Sequence, residues 1–171
     1  MSDLGSESSV KSVPSTLGSE SSIKSMPWAP ISHELGLTEL EAWGETFARA
    51  QLLPCVITLS GDLGTGKTTL ARALCKGFGV RDVNAVTSPT FAILQEYAAD
   101  GFSVAHADLY RLKNDSELDA LGWDEIVDSA QALIVEWPER ATRSWPAGAV
   151  HIVLSYAGSN LATRTLSVVL A

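Results

Sequence analysis

The chain has 171 residues, 46% of them hydrophobic, and a formal net charge of −8. That supports one compact domain with an appendage, and the excess of acid leaves no basic stripe to track a nucleic-acid backbone. No run approaches the ~18 consecutive apolar residues of a membrane span, and the first 27 residues lack the apolar core of a secretory signal. Cys55 and Cys75 lie inside apolar runs without metal-ligand spacing, so the expectation is a cytoplasmic protein with buried, reduced thiols.

Leu4–Pro14 (LGSESSVKSVP) and Leu17–Pro27 (LGSESSIKSMP) match at nine of eleven positions, and ten of the first 27 residues are serine. Such a segment buries too little apolar surface to offset its ordering entropy. The division read from composition is a disordered tail with an internal repeat over 1–29 and a folded domain over 30–171.

Within that domain, Thr38-Glu-Leu-Glu41 has the form of a capping box, with Thr38 as N-cap and Glu41 reaching back. Leu40, Trp43, Phe47 and Ala50 then recur at helical spacing. Cys55–Leu59 is a short β-branched apolar run between Pro54 and Gly61, and is predicted to be a buried strand. Thr68–Phe78 is rich in helix formers and ends among Gly77 and Gly79. Phe91–Tyr97 and Phe102–Asp108 are predicted to pair as a hairpin about Asp100-Gly101. Asp115 or Ser116 is placed to cap a helix through Ala120. Ala132–Val135 is a buried strand ending in Glu136. Val150–Tyr156 and Thr163–Leu170 form a last pair around Gly158-Ser159-Asn160. This order, with Gly61-Asp-Leu-Gly-Thr-Gly-Lys-Thr68 as a glycine-rich phosphate-loop pattern between a strand and a helix, predicts an α/β fold, a three-layer sandwich of the P-loop NTPase kind. Its sheet is expected to be mixed and mainly parallel, with antiparallel hairpins.

Gly61-Asp62-Leu63-Gly64-Thr65-Gly66-Lys67-Thr68 satisfies GxxxxGK[ST] between a strand and a helix start, as the mechanism of a phosphate loop requires. The glycines let successive backbone N–H groups curl around an anion, and the following helix aims its positive end at it. Lys67 supplies a point charge for the outer phosphates, and the Thr68 hydroxyl is a hard oxygen ligand for Mg²⁺. The expected ligands are therefore a nucleoside triphosphate and Mg²⁺.

A phosphate loop needs a carboxylate for its metal, usually at the C-terminal end of a neighbouring apolar strand. Ala132-Leu-Ile-Val-Glu136 and Val104-Ala-His-Ala-Asp108 both end that way. The assignment is Thr68 and Glu136 on Mg²⁺, with Asp108 orienting the attacking water or the metal's hydration shell. Thr90, in the turn Ser88-Pro89-Thr90, is placed to offer its hydroxyl to the γ-phosphate side. His106 alternates with Asp108 on one strand face and is weighed as packing before catalysis. His33 and His151 carry no argument. Arg111 and Arg140 follow the acids as candidates for salt bridges or phosphate contacts, and Trp137 for shielding the metal site, presenting a partner surface or packing.

Gly61–Thr69 (GDLGTGKTT), Ser88–Phe91 (SPTF), His106–Arg111 (HADLYR) and Val135–Glu139 (VEWPE), in that order, resemble the TsaE family from about Leu37 to Leu170. The resemblance implies a small ATPase that binds ATP and Mg²⁺, hydrolyses it slowly and resets the TsaB–TsaD pair. That pair transfers a threonylcarbamoyl group to adenosine 37 of tRNA, so tRNA is expected only indirectly. It implies Thr68 and Glu136 as metal ligands, Leu63–Thr68 as the nucleotide loop with Thr69 beside it, Asp108 as the important aspartate, Thr90 as switch threonine and Glu139 at the nucleotide site. Lys67, Thr90 and Asp108 are then the catalytic set. The chain departs from the family near its C-terminus: Leu161 follows the hairpin turn where the family often has a Gly-Arg pair, and the arginine comes at Arg164. Two other classes remain open on the residues alone. A P-loop small-molecule kinase predicts phosphoryl transfer to an added acceptor. A nucleotide-gated binding module predicts negligible hydrolysis.

Overall fold

The computed structural model describes residues 33–89 and 92–170; the serine-rich tail and Thr90 lie outside them. In chain order the elements are β1 (His33–Leu35), α1 (Leu37–Arg49), β2 (Cys55–Ser60), α2 (Lys67–Gly77), β3 (Leu94–Ala98), β4 (Ser103–Asp108), α3 (Ser116–Ala120), α4 (Trp123–Ser129), β5 (Ala132–Glu136), β6 (Val150–Ala157) and β7 (Asn160–Leu170). Among the described residues no helix is long and apolar enough to cross a membrane.

The seven strands form one sheet in the order β1-β7-β6-β2-β5-β4-β3. The four central strands β6, β2, β5 and β4 run parallel, and both flanks are antiparallel. The mixed sheet expected from the order of elements is therefore present, with its parallel part in the middle. Strand side chains alternate between faces. On β5, Ala132 and Ile134 join Leu40, Phe47, Leu70 and Leu74 of α1 and α2 in one buried cluster. Leu133 and Val135 join Leu118 and Trp123 of α3 and α4 in a second cluster on the opposite face. Helices thus cover both faces of the sheet, and the three layers follow.

Several local expectations are corrected. The helix start lies two residues earlier than the Thr38 box: Gly36 is the N-cap, and its N–H donates to Glu39 Oε2 at 2.7 Å. Glu39 occupies N3, so it reaches back in place of Glu41. Ala50 is exposed as the C-cap and is not part of the buried stripe. The strand predicted to begin at Phe91 begins at Leu94. The N–H groups of Ala92 and Ile93 bond the Pro89 carbonyl at 2.9 and 2.7 Å, which makes a turn there, and Ile93 takes a positive φ of 62°. Asp115 stands at the N-cap of α3, but its carboxylate accepts from Thr142 N at 3.2 Å and does not cap the helix. The short β1 and the helix α4 carry no periodic signal strong enough to predict them.

Candidate functional site

The phosphate loop is the turn between β2 and α2. Gly61 has a φ of +139°, and a Cβ there would lie 2.1 Å from the Leu154 carbonyl oxygen of β6, so no side chain fits. Gly66, with φ at +105°, is the N-cap of α2, and its carbonyl accepts from Leu70 N at 2.8 Å. This places the first turn of the helix, with its free N–H groups, at the mouth of a cleft of about 480 Å³. Thr65 is fully buried, and its hydroxyl donates to the Asp62 carbonyl at 2.9 Å, closing the loop on itself.

Both acids reach this cleft because of strand register. Asp108 pairs with Glu136 across the parallel β4–β5 ladder, so both side chains leave the C-terminal ends of adjacent strands on the same face. That face is the one covered by α2, since Ile134, two residues before Glu136, packs in the cluster of Leu70 and Leu74. Thr68 Oγ1 donates to Glu136 Oε2 at 3.0 Å. Asp108 accepts the Tyr110 N–H at Oδ1, 2.9 Å, and the Ser88 hydroxyl at Oδ2. His106, two residues before Asp108 and hence on its face, meets Glu136 Oε1 through Nε2 at 3.0 Å. Asp108, Glu136 and His106 are 4%, 2% and 0% exposed, so these bonds offset a real desolvation cost.

Lys67 lies at the centre of the charge. Its Nζ donates to the carbonyls of Gly61 at 2.6 Å and Asp62 at 2.8 Å and sits 3.7 Å from the centroid of the Trp137 ring. Burial lowers its pKa, and the charges of Glu136, Glu139, Asp108 and Asp62 oppose that shift. Trp137 reaches the lysine from a left-handed backbone conformation (φ 59°) directly after β5 and packs on Tyr110, with ring centroids 4.9 Å apart.

Of the residues singled out in the sequence, Leu63, Gly64, Gly66, Lys67, Thr68 and Thr69 line the cleft. Asp108 and Glu136 line it too. Gly61, Asp62 and Thr65 do not line it; the carbonyls of the first two accept from Lys67 and that of Thr65 from Arg164. Glu139 stands off the cleft lining, in the turn Pro138–Arg140, and accepts from Ser60 Oγ at 3.2 Å. Thr90 is outside the described residues. Arg111 lines the cleft, and Arg140 stacks over Tyr110 at 5.6 Å. His151 bonds Thr58 at 2.6 Å, away from the cleft.

The sequence leaves open whether Arg164, three residues beyond Leu161, reaches the nucleotide loop, and the structure brings it against that loop. Its Nε donates to the Thr65 carbonyl at 3.2 Å, and Nη1 donates to the Ala162 carbonyl at 2.9 Å. The antiparallel β6–β7 pairing, which sets Arg164 opposite Tyr156, carries it there. No local motif encodes that contact, since the partners are 99 residues apart.

The family model described as "Threonylcarbamoyl adenosine biosynthesis protein TsaE" matches residues 36–166. The chain is 37% identical over 105 residues to the tRNA threonylcarbamoyladenosine biosynthesis protein TsaE of Bacillus subtilis (strain 168), a stretch covering 61% of this chain and 64% of that protein. It is 40% identical over 84 residues to the TsaE of Rickettsia felis, covering 49% and 48% of the two chains. With the TsaE of Synechocystis it shares 39% identity over 116 residues, 64% of this chain and 72% of that one. The matched stretch thus spans less than two thirds of the first two relatives. The crystal structure of Bacillus subtilis YdiB superposes with a TM-score of 0.64 at 25% identity, over 83% of this chain and 86% of that one.

Proposed function

The chain belongs to the TsaE family, and on that premise we propose that it is an ATPase of tRNA threonylcarbamoyladenosine formation, binding ATP with Mg²⁺ and acting on TsaB- and TsaD-like proteins. The observation that carries the reading is the convergence of Lys67, Thr68, Asp108 and Glu136 on one cleft beside a loop of backbone amides.

The residues fit a magnesium ion. Thr68 Oγ1 and Glu136 Oε2 are hard oxygen donors 3.0 Å apart at the mouth of α2. The charge balance favours a divalent cation as well: four carboxylates bear on a single lysine, a setting that repels a bare triphosphate. Mg²⁺, when bound, neutralises phosphate charge and orders its oxygens. The amides of the loop hold the phosphates, and Lys67 exchanges its bonds to the Gly61 and Asp62 carbonyls for bonds to phosphate oxygens. Asp108, held by Tyr110 N–H at Oδ1, has the fixed orientation that positioning a water requires. Trp137 covers Lys67 and excludes water from that side.

The test is phosphate release measured with and without TsaB- and TsaD-like proteins, for the native protein and for Lys67→Ala, Asp108→Ala and Glu136→Ala. Release that responds to the partners and is lost in all three variants is expected. Transfer of the phosphoryl group to an added small-molecule acceptor, or partner association indifferent to ATP, would replace this reading with the kinase.

A further inference from the structure

Among the described residues, His106 is the one side chain with a buried polar atom that has no hydrogen-bond partner. Its ring is fully buried, between Tyr97 at a centroid distance of 6.4 Å and the carboxylate of Glu136. Nδ1 has no hydrogen-bond partner. An apolar residue of similar size would fill the same space without burying that unpaired nitrogen, so packing alone disfavours histidine here. What the ring supplies is the bond at its other nitrogen. A carboxylate only accepts, so the proton of the 3.0 Å contact sits on Nε2 and points at Glu136 Oε1.

Glu136 therefore has its two oxygens held apart in function. Oε1 is fixed from within the sheet by β4, and Oε2 faces Thr68 on α2. A glutamate carries three side-chain torsions, and an anchor on the first oxygen holds the carboxylate in place when the Thr68 hydroxyl turns from Oε2 to a cation. Resting on the reading that Thr68 and Glu136 hold Mg²⁺, we propose that His106 is a positioning residue. It donates through Nε2 to Glu136 Oε1 and thereby presents Oε2 to the cation. Its effect falls on the cation's share of nucleotide affinity and leaves the amide cradle alone, because among the described residues the His106 side chain bonds Glu136 and not the loop from Gly61 to Gly66.

The experiment is calorimetric titration with the non-hydrolysable β,γ-imido analogue of ATP, with saturating Mg²⁺ and with EDTA. The quantity read is the ratio of the two affinities. For His106→Leu that ratio is expected to fall roughly tenfold or more, the size typical for loss of a partner behind a metal ligand, with the EDTA affinity within about twofold of native. Glutamine and asparagine separate donation from polarity, since the amide nitrogen of Gln overlays Nε2 and that of Asn overlays Nδ1. His106→Gln is expected to keep the ratio and His106→Asn to lose it, so the pair decides the matter even if the leucine variant fails to fold. A native ratio in His106→Asn overturns the proposal, as does a parallel loss of affinity with and without Mg²⁺. A native protein whose affinity is indifferent to Mg²⁺ overturns the metal assignment itself, and the proposal with it.

Discussion

Arg164→Ala offers the sharpest test of how the phosphate loop is held. The guanidinium of this β7 residue bonds the Thr65 carbonyl at 3.2 Å and the Ala162 carbonyl at 2.9 Å. Across a trans peptide the C=O and the next N–H point in opposite directions. Holding Thr65 O outward therefore aims the Gly66 N–H toward the cleft that Gly66 lines. A hydrogen bond to a charged donor contributes about 1.5–3 kcal/mol when buried. Arg164 is only half-buried, so roughly 1–2 kcal/mol is the fair figure, a loss of about 5- to 30-fold in phosphate affinity. Lysine cannot span two carbonyls with a fork, so Arg164→Lys is expected to fall close to alanine. An arginine acting as a plain charge on the phosphates would instead be rescued by lysine. Calorimetry with the imido analogue of ATP reads both variants. A binding constant within twofold of native for Arg164→Ala would refute the argument that β7 orients the loop.

Two further outcomes concern stability. Gly61→Ala forces a Cβ against a main-chain oxygen that has no room to retreat, and is expected to cost about 2–4 kcal/mol, read as a lower melting temperature by calorimetry. Burial pushes the Cys75 thiol up to about 12 from an ordinary 9.0. A thiol whose folded pKa is raised contributes stability that is complete below the unfolded pKa and is lost as pH climbs through the window from 9 toward 12. Denaturant melts should therefore show a loss of roughly 1–2 kcal/mol from this group at pH 10, absent from the pH profile of Cys75→Ala. Equal pH slopes in the two proteins would remove the thiol as the cause.

The parts of the site legible in the residues are those encoded by spacing along one segment. GxxxxGK[ST] specifies the loop, and an apolar strand closed by an acid specifies Glu136 and Asp108, whose Cα atoms the parallel register then pairs. The period-2 spacing of His106 and Asp108 placed both on one face, yet did not say that the histidine would reach a carboxylate on the next strand. Trp137 over Lys67 depends on a left-handed residue at the end of β5, and no turn residue announces it. Arg164 and Thr65 meet only because β7 folds back beside β6, so their contact is a property of topology. The helix starts before the Thr38 box because two overlapping frames offer a glutamate three residues after a cap, and the Gly36 N–H bonds Glu39 in the earlier one.

Glu139 poses a question of sign that the geometry answers in one direction. By family resemblance it belongs at the nucleotide, but its carboxylate accepts from Ser60 and is absent from the cleft lining. It is one of four acids whose charge bears on Lys67. Its effect on a phosphate chain is then repulsion through solvent. Two unit charges one Debye length apart, about 8 Å, repel by roughly 0.5 kcal/mol in water before screening. Against a triphosphate of about three effective charges, screened to near a third, that leaves about 0.5 kcal/mol, or a factor of two to three. Glu139→Gln keeps the bond from Ser60 and removes the charge. Affinity for the imido analogue in EDTA is therefore expected to rise two- to threefold, and the gain should shrink as salt is added. A loss of affinity would instead make Glu139 a direct contact of the nucleotide and reverse the placement drawn from its position beside Ser60.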